Sequence, residues 1–182
     1  MLDFIFDILF YITDWLRTTF LLDFAFWITE TSLSLFMVEN FWNVPLAQVV
    51  HITAIAAAFG SLLMLVLRVN EKAGTSVTVS DAVARYLPWV WYGLLGIVLS
   101  GLLMITAEPI RNMVNSVFWI KMVLLLVTVA ITIGYQKSVA AKALAGGASF
   151  QASGGTRKTG VLIIVLWLFI ILAGRWIAYV PV

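Results

Sequence analysis

The stretch NSVFWIKMVLLLVTV, Asn115 to Val129, decides the class of this protein. Apart from one lysine near its start it is apolar, and the apolar character runs on to Tyr135. A helix of about 20 such residues, rising ~1.5 Å per residue, is as long as a bilayer core is thick. Lys121 stands inside it. That lysine either anchors a span at the membrane surface or belongs to a site, and the rest of the chain bears on which.

The composition agrees with a membrane span. Of 182 residues, 63% are hydrophobic and 11% charged, with a mean hydropathy of +1.05. Soluble domains carry about 25% charged residues, and a chain of this length has too much surface to hide so many apolar side chains from water. Eight tryptophans and five tyrosines suit aromatic belts at two interfaces. There is no cysteine, which removes disulfides, thiolate metal sites, iron–sulfur ligation and covalent c-type haem. No Ser–His–Asp set, phosphate loop or zinc motif is present, and nothing supports nucleic-acid binding.

Three further runs match the first in length. The expected spans are about 45–67, 87–107, 116–135 and 160–180, which predicts an all-α integral membrane protein built as a four-transmembrane-helix bundle over residues 44–182. The second span is entered through SDAV, where Ser80 and Asp81 suit the cap of a helix that starts before the membrane. The loop KSVAAKALAGGASFQASGGTRKTG is rich in Ala, Gly and Ser and reads as mobile or weakly helical. Residues 1–43 form a separate N-terminal segment. Asp3, Asp7, Asp14 and Arg17 fall near one helical face, with Phe4, Ile5, Ile8, Leu9 and Ile12 elsewhere, the pattern of an amphipathic interfacial helix. The alternative, a fifth span over about 15–38, has to carry Asp23 and Glu30. An acidic start without a basic n-region does not read as a signal peptide.

Orientation follows from the basic residues. Arg68, Lys72 and Arg85 follow the first span, and Lys137, Lys142, Arg157 and Lys158 follow the third; together they are seven of the eleven. Both loops lie on one side, which the positive-inside rule makes cytoplasmic. The N-terminal segment, holding six of the nine acids, then faces the periplasm with the C-terminus. The implied location is a bacterial inner membrane.

In this arrangement His51, the single histidine, lies about 9 Å below the outer boundary, and Lys121 and Arg175 about 7–8 Å below it, by the helical rise. Glu108 and Arg111 sit at the outer mouth between spans two and three. Each has a plain reading. Lys121 can snorkel, because helical side chains tilt toward the N-terminus, which is outward here. Arg175 can curl back to the interface. His51 can be a neutral histidine bonded to a neighbouring helix, and Glu108 with Arg111 an ion pair or a helix-end cap. The sharper reading rests on faces. His51 shares its side with Ala54, Ala58 and Ser61, Ala56, Ala57 and Gly60 also lie on span one, and span two offers Gly93, Gly96, Ser100 and Gly101. Small residues let helices approach closely or leave room for a flat ligand. Lys121 shares a face with Thr128 and Thr132. A haem b could take one axial bond from His51, with Lys121, Arg111 and Arg175 near its propionates and Glu108 beside them. A copper ion could use His51 with methionines such as Met104 or Met113.

PLAQVVHITAIAAAFGSLLMLVLR, LPWVWYGLLGIVLSGLLM and FWIKMVLLLVTVAITIGYQ together resemble a bacterial family of small four-helix membrane proteins with no assigned function, over about residues 30–180. The marks are Pro45-Leu46 ahead of His51, Arg68, Pro88-Trp89, and Phe118 three residues before Lys121. More distantly the chain is similar to the membrane protoporphyrinogen oxidase family, associated with haem b, and to the copper-resistance D membrane family. The resemblance implies a site at His51 and Lys121. The oxidase family has further histidines near the cytoplasmic side, where this chain reads LRVNEKAG, and the copper family has histidines and methionines that this chain mostly lacks. A third reading needs no cofactor: an accessory subunit whose small-residue faces pack against a second copy or another membrane or periplasmic subunit. In every case the lipid bilayer is the first partner.

Overall fold

The computed structural model describes residues 2–146 and 151–179. Among the described residues there are eight helices and no strand: α1 Leu2–Arg17, α2 Phe20–Thr29, α3 Ser32–Glu39, α4 Asn43–Val69, α5 Val79–Ala107, α6 Pro109–Met113, α7 Ser116–Gly146 and α8 Gly154–Trp176. Four of them, α4, α5, α7 and α8, are long and apolar enough to cross a membrane. Within their apolar windows only 22–33% of residues are buried by protein. Helices this apolar in a water-soluble core would hide far more, so most of their surface is built to meet hydrocarbon. Leu95, Val98, Leu99 and Leu102 on α5 and Val123, Leu126 and Val127 on α7 are such outward residues.

The helices overrun the expected spans, for local reasons. α5 starts at Val79, and its cap is Thr78 rather than Ser80 or Asp81. The Thr78 hydroxyl accepts from the Asp81 amide at 3.1 Å and donates to the Asp81 carboxylate at 2.7 Å. α7 runs on to Gly146, so of the two readings of the Ala-rich loop its first part takes the helical one. Its KSVAAKALA run consists largely of strong helix formers, which prolong a helix already nucleated in the membrane. α8 begins at Gly154, with Ser153 as cap, accepting from the Thr156 amide at 3.2 Å. It ends at Trp176, short of the expected limit. Residues 147–150 of the loop and 180–182 at the expected end of the last span lie outside the described residues.

The N-terminal segment is three helices. α1 turns Leu16 and Thr13 inward, with Leu9 and Ile12 half-buried, and exposes Phe4, Ile8, Tyr11 and Trp15 along a second stripe. Asp7 and Asp14 are exposed between these faces and solvent, and the Asp3 side chain lies outside the described residues. α2 packs on α1, α3 and α6. α2 and α3 meet at a 64° bend and qualify as one span only if so broken. The bend has a cause at Thr31, whose hydroxyl accepts from the Ser34 amide at 3.3 Å and restarts the helix.

The chain divides into two compact units. One comprises Met1–Val50, Leu99–Leu124 and Phe169–Val182, the other His51–Val98 and Leu125–Leu168. In the second, α4, α5, α7 and α8 enclose a core that includes Leu62, Leu65, Val90, Val139 and Ile163. The first has two smaller clusters, one around Val117, Phe118 and Ile177 and one around Met37, Ala47 and Ala107.

Candidate functional site

In the first unit the start of α7 is built by hydrogen bonds. Asn115 is fully buried; its Oδ1 accepts from the amides of Val117 at 2.9 Å and Phe118 at 3.2 Å, capping the helix. Its Nδ2 donates to the Ile177 carbonyl at 3.3 Å, which ties the end of α8 to the start of α7. The Thr13 hydroxyl of α1 donates to Ser116 Oγ at 3.2 Å and accepts from the Ser116 amide at 3.4 Å. The amphipathic helix is therefore pinned to α7 by a buried polar contact. Trp119 Nε1 donates to the Met113 carbonyl at 2.8 Å and fixes the turn before the span. Sequence reasoning assigned no role to Asn115, Ser116 or Thr13. The signal was there in Asn115-Ser116, two capping residue types directly ahead of an apolar run.

Lys121 stands on this frame. Its ammonium lies 5.1 Å from the centroid of the buried Phe118 ring, one turn nearer the helix start. The geometry is that of a cation over an aromatic face, and it directs the side chain back along α7 as expected from helical tilt. A Cβ placed on Gly174 of α8 would sit 3.8 Å from Lys121 Cδ, so the lysine stem packs where α8 has no side chain. Among the described residues no carboxylate pairs with it.

The two arginines are engaged. Arg111 Nη1 pairs with Glu108 Oε2 at 3.2 Å, and its Nη2 donates to the Ala178 carbonyl at 3.2 Å. Glu108 occupies the N-cap position of α6 without a side-chain capping bond. Of its two expected roles it takes the ion pair. Arg175 Nη2 donates to the Tyr179 hydroxyl at 3.0 Å, with the guanidinium carbon 5.3 Å from the Tyr179 ring centroid. Arg175 does curl toward the chain's end, and Tyr179 is what holds it there.

His51 belongs to the second unit. It is half-buried and holds an interaction of its own. Below it on α4, Ala54 and Ala58 are buried against α5. A Cβ on Gly93 would fall 2.7 Å from the Ala58 amide nitrogen and 2.8 Å from the Ala54 carbonyl, and one on Gly96 would fall 2.9 Å from Ala54 Cβ. Of the two uses open to these small residues, the structure takes close helix packing at Gly93 and Gly96. A flat ring does not fit between α4 and α5 there. Met104 is taken up in packing against the cluster of Met37, Ala47 and Ala107. Among the described residues no three His, Asp or Glu side chains are grouped to hold a metal ion. Thr128 and Thr132, on Lys121's face of α7, are buried, and the Thr132 hydroxyl bonds back to the Thr128 carbonyl at 2.7 Å.

Comparisons with protein-family models, with curated proteins and with solved structures find no match. The four apolar helices make the chain a multi-pass membrane protein in contact with lipid.

Proposed function

We propose that this chain is a multi-pass protein of a bacterial inner membrane that retains an anionic amphiphile in the outer leaflet through Lys121. The orientation is the one set by the basic loops, with both termini periplasmic and α1 lying in the outer interface on its Phe4, Ile8, Tyr11 and Trp15 stripe. One observation carries the reading. Lys121 is a half-buried cation in an apolar span without an ion-pair partner among the described residues, while Arg111 and Arg175 of the same unit already have partners. A charge inside a span is costly, about 2.5–3.5 kcal/mol at the membrane centre, and an anion brought by the ligand would offset that cost. This joins the two sequence readings of Lys121, since an ammonium that snorkels reaches the same anionic groups.

The anion is a carboxylate or phosphate borne on an apolar body. Haem b is the member of that class which the family resemblance suggests. The close contact of Gly93 and Gly96 with Ala54 limits that version, because it removes the slot toward α5. A cofactor-free accessory subunit holding a lipid through Lys121 needs no such slot and fits the geometry better. The copper reading has less support, since Met104 is occupied in a core cluster.

The test is purification in mild detergent, followed by an absorption spectrum and native mass spectrometry of the retained ligands, for the unaltered protein, Lys121→Gln and His51→Ala. A colourless protein that holds anionic lipid, and holds much less of it as Lys121→Gln, is the expected result. A Soret band lost in His51→Ala would make haem b the amphiphile. Equal lipid retention by Lys121→Gln, with no chromophore, would reject the site.

A further inference from the structure

We propose that the turn between α4 and α5 is a latch, closed by Glu71 on Arg157 and opened by an anionic lipid surface that draws Arg157 away. The turn and the start of α8 both belong to the second unit, on the side of the basic loops, and Lys121 belongs to the first. The latch therefore stands whether or not Lys121 holds a ligand.

The backbone at Glu71 is strained. α4 ends in a closed cap: the Glu71 amide donates to the Arg68 carbonyl at 3.0 Å, and the Lys72 amide to the Leu67 carbonyl at 2.9 Å. These two bonds put Glu71 where a helix end turns left-handed, a place usually held by glycine. Its φ is +59°, and among the described residues no other non-glycine has a positive φ. The left-handed region costs a residue with a Cβ about five- to thirtyfold in an equilibrium. Strain of this kind persists only where the surroundings hold it, and it gathers at clamps and switches.

The Glu71 side chain gives that strain a use. Arg157 Nη2 donates to Glu71 Oε1 at 2.8 Å, between residues 86 apart in sequence. Arg157 Nε holds the Ala152 carbonyl at 3.2 Å, just ahead of α8. The pair thus ties the end of α4 to the start of α8. The other two ion pairs among the described residues each join neighbours three apart. Arg68 is no rival for Glu71, because its Nε donates to the Val77 carbonyl at 2.6 Å and closes the turn from within. Asp81 is engaged by Thr78.

The position of Arg157 names the competitor. It stands three residues ahead of Gly160, where the apolar part of α8 begins, so about 4.5 Å from it along the helix. That is headgroup level, and the neighbouring Lys158 is exposed there too. Arg157 and Glu71 are 34% and 46% exposed, and a pair so open to water contributes at most about fivefold. A negative membrane surface draws a nearby arginine by about the same factor and repels the carboxylate. The two pulls are close enough for lipid composition to decide between them. Once Arg157 turns to the headgroups, the strained cap has lost its tie, and the last turn of α4 opens more often.

The experiment is amide hydrogen exchange over residues 70–78 of the full chain, in nanodiscs of phosphatidylcholine with and without phosphatidylglycerol. It compares the unaltered protein with Glu71→Gln, which removes the charge and keeps the strain, and Glu71→Gly, which removes both. In the unaltered protein the turn should exchange about fivefold faster with phosphatidylglycerol present. Glu71→Gln should exchange fast in both lipids. Glu71→Gly should exchange slowly in both, since glycine holds the left-handed cap without cost. Inorganic phosphate in phosphatidylcholine discs, against chloride at equal ionic strength, should not reproduce the lipid effect. The same exchange rate for the unaltered protein in both lipids would overturn the latch. So would a lipid response that survives in Glu71→Gln, a Glu71→Gly turn as open as that of Glu71→Gln, or phosphate matching the lipid.

Discussion

Gly93 of α5 crosses Ala58 of α4 so closely that a methyl group on Gly93 would sit 2.7 Å from the Ala58 amide nitrogen. The obstructing atoms are backbone on a rigid helix, so no side-chain rotation relieves the overlap. Gly93→Ala must part α4 from α5 and should lower stability by about 1–3 kcal/mol, the usual cost of overpacking. Gly60→Ala is the control, because nothing lies within 4 Å of a Cβ there. It should be neutral or raise stability by up to about 1 kcal/mol, the helix-propensity gain of alanine over glycine. Thermal unfolding of both variants in one detergent checks the contrast, and a Gly93→Ala protein as stable as Gly60→Ala would contradict the crossing.

Asn115 serves both ends of its amide. Asn115→Ala removes the cap of α7 and leaves the Ile177 carbonyl without its donor in a buried setting. The cap alone is worth about 0.5–2 kcal/mol, and the unpaired carbonyl adds to it. Asn115→Ser keeps a side-chain capping oxygen and removes the amide donor to Ile177 without placing an ionisable group in a fully buried position, so it should fall between the unaltered protein and Asn115→Ala. Unfolding midpoints in that order are the expected outcome; equal losses in the two variants would show that the bond to Ile177 carries the whole effect.

The Glu108–Arg111 pair should count for little. Both side chains are about half exposed, and pairs of that kind contribute about 0–1 kcal/mol. Arg111→Ala should cost more than Glu108→Gln, because Arg111 also holds the Ala178 carbonyl. Raising the salt concentration should narrow the gap between the unaltered protein and Glu108→Gln, since screening weakens the ion pair alone.

What is legible in the sequence here is whatever a single helix decides. The four long helices follow from apolar length, and the amphipathic face of α1 from the spacing of its acids. The N-terminal region is less legible, because α2 and α3 are apolar enough for a span and only the capping geometry of Thr31 breaks them apart. The Ala-rich loop is half legible: its helical reading holds to Gly146, but glycine and serine in it mask how far the run of strong helix formers extends α7. The candidate site divides in the same way. Glu108 with Arg111 follows from spacing along one helix, and the turn of Arg175 toward the chain's end is one that its long side chain allows. That Gly174 makes room for Lys121 and that Gly93 closes the face below His51 are contacts between helices far apart in sequence, and no periodicity announces them.

Lys121 offers the sharpest separation of stability from function. Its ammonium has the Phe118 ring and no carboxylate among the described residues, so without a ligand it weakens the fold. Lys121→Met keeps the stem that packs over Gly174 and removes the charge. The delipidated variant should be more stable than the unaltered protein, by less than the roughly 2.5–3.5 kcal/mol that a charge costs at the membrane centre, because Lys121 stands near the start of α7 and not at its middle. The same variant should lose most of the stabilisation that anionic lipid gives the unaltered protein. Lys121→Arg should keep much of that response, since a guanidinium also pairs with carboxylates and phosphates. Unfolding midpoints of the three proteins, delipidated and then supplied with phosphatidylglycerol, test both halves together. A Lys121→Met protein that gains no stability and loses no lipid response would mean that the ammonium reaches water on its own and binds nothing.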